Sequence, residues 1–144
     1  MNELIVAIDG PSGAGKSTLS KLLARTLGYT NIDTGAMYRC VALAASRRGV
    51  DPNDGSALGG LCGGLHIDFV REGDGERVLL DGEDVSFAIR TPEVSLLTSR
   101  VAASPAVRQA MVRLQRQMGE RGGVVLEGRD IGTVVFPKAE VKFF

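Results

Sequence analysis

Lys16 and Ser17 close a run, "GPSGAGKST", that begins at Gly10 and fits the spacing Gly-x4-Gly-Lys-Ser. Glycines at both ends of such a run let backbone N–H groups converge on phosphate oxygens. A lysine at its end reaches the β- and γ-phosphates of a nucleoside triphosphate, and the adjoining hydroxyl suits a Mg²⁺ ion. Gly10, Pro11, Ser12, Gly13, Ala14, Gly15, Lys16, Ser17 and Thr18 are therefore the candidate phosphate cradle, with Ser17 the candidate metal ligand. The four fixed positions coincide by chance in well under ~5% of chains this long.

A site for a phosphoryl donor raises the question of an acceptor. "DTGAMYR" at 33–39 and "EGRDIGT" at 127–133 offer hydroxyl, carboxylate and guanidinium groups for one. Each also has a plain structural reading. Thr34 or Asp33 could cap a helix, Tyr38 could pack, Arg39 could be solvated, and Arg129 and Asp130 could form an internal ion pair. Taken together the arginines point elsewhere: Arg39, Arg108 and Arg129 all fall near predicted strand or helix ends. In an open α/β sheet, ligands bind at the carboxyl ends of the strands.

The elements that must position these residues alternate. "LIVAI" at 4–8 is a short apolar run stopped by a Gly-rich turn, the pattern of a parallel strand covered on both faces. Leu19, Leu22, Leu23 and Leu27 recur at helical spacing until Gly28. A strand over 29–32 and a helix over 36–48, ended by Gly49, follow. Gly55 to Gly64 breaks the helical pattern, and "LHIDFV" and "ERVLLDGEDV" flank "REGDG" as an antiparallel hairpin. Ser104 as N-cap and Pro105 at the first position open a further helix. Its buried stripe is Val107, Ala110, Met111, Leu114 and Met118, with Arg113 and Arg116 pointing away. "VVLEGRD" and "AEVKFF" read as two more core strands.

Composition narrows the function classes. Lys plus Arg and Asp plus Glu number 17 each, which disfavours nucleic acid as the main partner. Locally the charge divides: nine acids face Arg71 and Arg77 over 51–86, and six arginines face Glu93 and Glu120 over 90–121. Solvated faces explain most such asymmetry, while a cleft that attracts anions is the sharper reading. Cys40 and Cys62 make no CxxC pair, and Cys62 with His66 lacks a second pair to complete a metal site. Buried thiols are expected. "MNELIVAIDG" has neither the basic start of a signal peptide nor the length of a membrane span. A cytoplasmic protein without membrane partners is expected, with a monomer favoured.

The motifs, in order and spacing, resemble bacterial cytidylate kinases: "IDGPSGAGKST", "DTGAMYR", "DGEDVS", "VSLLTSRVAASPAVR", "QR" and "LEGRDIGTVVFP". The resemblance runs along essentially the whole chain. It implies an α/β fold, a P-loop nucleoside monophosphate kinase-like parallel sheet with helices on both faces and an inserted antiparallel acceptor-binding subdomain. Residues 1–34 and 101–144 would form the core, and 35–100 the CMP-binding insert. The resemblance implies transfer of a phosphoryl group from ATP, with Mg²⁺, to CMP or dCMP. It assigns Thr34, Arg39 and Arg129 to the acceptor's phosphate and Ser99, Arg108 and Asp130 to its cytosine. Tyr38 stands beside them on the substrate side, and Lys16 and Arg129 are the catalytic cations. Lys138, where the family commonly has Asp, touches no assigned contact.

Family members continue past the position of Phe144 with a mobile lid carrying further arginines and with C-terminal helices. The expectation is a natural chain longer than this one, and 144 residues that bind nucleotide but transfer phosphate slowly. Two rivals stand beside the kinase reading. A P-loop kinase of another small metabolite would not need Ser99, Arg108 and Asp130. A catalytically weak nucleotide-binding fragment would bind without turnover.

Overall fold

A computed structural model of the chain describes residues 3–10, 15–73, 75–120, 122–129 and 131–143. Pro11, Ser12, Gly13, Ala14 and Asp130, all expected at the site, lie outside the described residues. The chain divides into two compact units, residues 1–35 with 114–144 and residues 36–113.

The first unit is built on a parallel sheet. Strands β1 (Ile5–Asp9), β2 (Thr30–Asp33), β6 (Val124–Gly128) and β7 (Val141–Phe143) lie in the order β2-β6-β1-β7. Every pairing is parallel, with Asp9 opposite Gly128 and Asp33 opposite Glu127. The carboxyl ends of β1, β2 and β6 are therefore level. Helix α1 (Lys16–Leu27) packs on β1, β2 and β6. Its buried residues are Ser20 and Ala24, whereas Leu19, Leu22 and Leu27 are exposed and Leu23 packs partly against Val6, Ile8 and Val125. The leucine spacing marks the helix correctly but not its inner face. That face is set by Ser20, which has a buried partner on β6.

"AEVKFF" is an edge strand rather than a core one. β7 pairs with β1 alone among the described strands, and Lys142 and Phe143 are exposed.

The second unit holds most of helix α2 (Thr34–Arg48), in which Met37, Cys40, Val41, Ala42 and Ala45 are fully buried. A helix apolar on nearly every side belongs in a core. The glycine-rich stretch expected to break the pattern is instead helix α3 (Gly55–Gly63). Asp54 explains it: its side chain accepts from Ala57 N–H at 3.0 Å, and Leu58, Leu61 and Cys62 are buried. A good N-cap and three anchors outweigh poor local propensity.

The hairpin forms as expected. β3 (Ile67–Glu72) and β4 (Gly75–Leu80) are antiparallel, and a short β5 (Glu83–Asp84) extends them. Its acids are largely paired on the surface. Arg47 donates to both Glu83 oxygens, at 2.8 and 3.0 Å, and Arg77 to Asp84 at 3.0 Å.

Helix α4 (Pro92–Ala102) follows a 3₁₀ turn at Ala88–Arg90, with Thr91 accepting from Val94 N–H at 3.3 Å and Pro92 in the first turn. Helix α5 (Pro105–Gly119) buries Val107, Ala110 and Met111 as expected, and Gln115 with them. One detail differs from the sequence reading. Ser104 Oγ is buried with no hydrogen-bond partner among the described residues, so it makes no side-chain cap. Arg116 points away from the stripe and is exposed, as expected, yet its guanidinium is engaged. It donates to the carbonyls of Val134 and Val135, at 2.8 and 3.0 Å, and so caps a π-helical turn at Ile131–Val135.

Candidate active site

β1 ends at Asp9 and Gly10, and α1 begins after Gly15, which sits in the left-handed region at φ 77°. Only glycine adopts that conformation at little cost. Among the described residues no side chain caps α1, and no acid stands in its first turn. Its leading N–H groups and the positive end of its dipole are thus suited to an anion.

Lys16 reaches back to the end of β1. Its Nζ donates to the carbonyl of Gly10 at 2.5 Å and to that of Gly128 at 3.2 Å. Gly10 N–H in turn donates to Gly128 O at 3.3 Å. The ammonium group is held at the junction of β1 and β6, where it can act as a fixed point charge.

Ser17 Oγ donates to Glu127 Oε1 at 2.8 Å, and Ser20 donates to the other carboxylate oxygen. Glu127 is 3% exposed, so its charge needs these donors. Thr34 is buried as well, and its Oγ1 donates to the Glu127 carbonyl at 2.8 Å. A Cβ on Gly128 would collide with that hydroxyl, so β2 and β6 can meet here only over a glycine. Asp9 spreads its carboxylate over two backbone donors, Ile131 N–H at 2.7 Å and Gly132 N–H at 2.8 Å. The segment that follows Arg129 is thereby tied to the strand that leads into the cradle.

Gly10, Gly15, Lys16, Ser17, Thr34 and Arg129 accordingly belong to one unit, at or next to the carboxyl ends of its strands. Thr18 is exposed one residue along α1, and Arg129 is exposed just past β6. Tyr38, Arg39, Ser99 and Arg108 belong to the other unit. Tyr38 and Arg39 are half-buried on α2, while Ser99 on α4 and Arg108 on α5 are exposed. Arg39 Nη1 donates to Ile89 O at 3.0 Å and to Ser95 Oγ at 2.8 Å.

Sequence reasoning passed over Glu127, Ser20, Asp9 and Ser95. Two of them carried a signal. Glu127 is an acid inside the apolar run "VVLEG", and Asp9 ends the run "IVAID" directly before Gly10. A charge in a strand otherwise suited to burial demands a partner.

Cys40 and Cys62 are buried free thiols, and burial raises the Cys62 pKa against a smaller opposing effect of Arg113. Neither is placed for chemistry. Among the described residues no group of three or more His, Cys, Asp or Glu could by itself hold a metal ion. No helix among them is long and apolar enough to cross a membrane.

The family model described as cytidylate kinase matches residues 6–144. The chain belongs to the cytidylate kinase family. Curated members of the family agree: the cytidylate kinase of Syntrophotalea carbinolica is 70% identical over 142 residues, covering 99% of this chain and 60% of that protein. Those of Geobacter sp. strain M21 and Geobacter sulfurreducens are each 64% identical, over 143 and 141 residues, covering 99% and 98% of this chain and 61% and 60% of theirs. The chain thus spans about 60% of the length of the family members it matches.

Proposed function

We propose that this protein transfers the γ-phosphoryl group of ATP to CMP or dCMP, giving ADP and CDP or dCDP, in cytoplasmic pyrimidine nucleotide metabolism. The observation that carries the proposal is the fixing of Lys16 Nζ by the carbonyls of Gly10 and Gly128, beside the N-terminus of α1. A cation held there has its charge directed at phosphate before any substrate arrives, which is electrostatic preorganisation. Membership of the cytidylate kinase family supports the choice of acceptor.

The residues suit a small divalent cation. Ser17 Oγ and the Glu127 carboxylate, 2.8 Å apart, are hard oxygen donors of the kind Mg²⁺ takes. Mg²⁺ is commonly held by one or two such groups together with substrate phosphates, so the lack of an all-protein cluster fits the assignment. When bound, the cation neutralises charge on the β- and γ-phosphate oxygens.

In the proposed reaction the acceptor is a phosphate oxygen already ionised near neutral pH. No general base is then needed, and the work is alignment and charge neutralisation. Gly10 to Thr18 cradle the donor phosphates, with Lys16 on the β- and γ-groups. Thr34, Arg39 and Arg129 take the acceptor's phosphate, Tyr38 stands with them, and Ser99, Arg108 and Asp130 take its base. Residues 35–100 are the acceptor-binding part of the chain and 1–34 with 101–144 its core.

A calorimetric titration tests this reading. ATP and CMP should each bind, and Lys16→Ala should weaken ATP while sparing CMP. A protein that binds neither nucleotide would overturn it.

A further inference from the structure

A guanidinium group carries five N–H donors in one rigid plane. Arg39 uses one end of that plane on its own unit. Nη1 donates to Ile89 O at 3.0 Å and to Ser95 Oγ at 2.8 Å, which accounts for both Nη1 hydrogens. Among the described residues the Nε–Nη2 edge makes no further hydrogen bond. That edge presents two parallel N–H groups, the fork that matches a phosphate or a carboxylate.

The two acceptors are themselves well fixed. Ile89 is 1% exposed, and its N–H donates to Val85 O at 3.0 Å. Ser95 stands in the first turns of α4, its N–H bonded to Thr91 O at 3.0 Å in a helix capped by Thr91 Oγ1. Ser99 lies one turn further along the same face of α4. An arginine free to rotate about its last torsions gives up that freedom when it binds. One oriented in advance gives up less.

We propose that Ser95 is a positioning residue, whose hydroxyl orients the Arg39 guanidinium so that its Nε–Nη2 edge is presented to the acceptor's phosphate. The inference rests on the assignment of Arg39 to that phosphate. Ser95 acts through Arg39 and touches no substrate. Its removal should therefore cost recognition of the phosphate and not of the nucleoside.

Binding of CMP and of cytidine, measured by titration calorimetry, separates these. Ser95→Ala should weaken CMP roughly 3- to 10-fold, the net worth of one ordinary hydrogen bond, and leave cytidine within about twofold. Ser95→Thr restores the hydroxyl and should bring CMP back to within about twofold of the parent. An unchanged CMP affinity in Ser95→Ala, or equal losses for CMP and cytidine, would overturn the positioning role. Arg39→Ala distinguishes the two levels of the argument. If it lowers the CMP-to-cytidine ratio while Ser95→Ala does not, only the role of Ser95 falls. If it leaves that ratio unchanged, the assignment of Arg39 falls and the role of Ser95 with it.

Discussion

The hydroxyl of Ser17 donates to the buried carboxylate of Glu127 at 2.8 Å, joining the start of α1 to the end of β6 across 110 residues of sequence. Ser20, one turn on, takes the other oxygen of the same carboxylate. The charge of Glu127 is thus stabilised by α1 and held next to the residue assigned to the metal. Glu127→Gln keeps the volume and one carbonyl acceptor but removes the charge. It should fold, and lose turnover by about 10²-fold or more, as is typical for a group that acts on charge in the transition state. Glu127→Ala should in addition lower unfolding free energy by about 1–3 kcal/mol, because two hydroxyls lose a buried acceptor. Urea denaturation and initial rates check the pair. Parental turnover in the Gln variant would remove Glu127 from the chemistry.

Lys16→Ala should cut phosphoryl transfer by about 10²-fold or more with little change in melting temperature, since one of its two acceptors, Gly128 O, also accepts from Gly10 N–H. Retention of more than about a tenth of the activity would contradict its role.

Base choice is expected to depend on Asp130. Cytosine offers an amino donor to that carboxylate, whereas uracil sets a carbonyl against it, two acceptors face to face. Asp130→Asn should blunt discrimination between CMP and UMP. Arg39→Ala should weaken all monophosphates alike, because it is assigned to the phosphate and not to the base. Competition titrations with CMP, UMP and AMP read both. A base-dependent effect of Arg39→Ala would reassign it.

The surface pairs of the second unit should show in the pH dependence of stability. Hydrogen bonding from Arg47 holds the Glu83 carboxyl below its ordinary range. Ser86, and more weakly Arg77, do the same for Asp84. A carboxyl lowered in the folded state adds stability above its unfolded pKa and loses it as pH falls through the folded value. Arg47→Ala should therefore lower the melting temperature at neutral pH, and the difference from the parent should vanish in acid. A difference that persists once the carboxylates are protonated would place the effect elsewhere.

Helix α3 depends on its cap. Asp54→Ala should cost about 0.5–2 kcal/mol in a helix whose four glycines (Gly55, Gly59, Gly60, Gly63) supply little propensity of their own. Native-state hydrogen exchange over 55–63 reports this directly, and unchanged protection there would show that burial of Leu58 and Leu61 alone holds the helix.

These contrasts show what the chain makes legible. The strand and the helix on either side of the glycine-rich run were readable because local signals agree: an apolar run for one and the leucine period for the other. The hairpin was readable for the same reason. α3 was not, because its glycines hide a cap that works through one side-chain bond. The inner face of α1 was also hidden, since Ser20 is buried for the sake of Glu127, a residue 107 positions away. The acceptors of Arg116, the carbonyls of Val134 and Val135, were not legible, because they belong to a π-helical turn that no periodicity announces. Partners that are distant in sequence leave only an anomaly behind, such as an acid in an apolar strand.

The central claim is the pairing of an ATP phosphate cradle with a cytosine-reading acceptor site. Its most direct test is the initial rate of ADP formation from ATP and Mg²⁺ with CMP, dCMP, UMP, AMP and GMP in parallel. The ranking of acceptors carries the claim, whatever the absolute rate. CMP and dCMP should be phosphorylated well ahead of the other three. Equal rates with CMP and UMP, or ADP formation that ignores the acceptor, would contradict it.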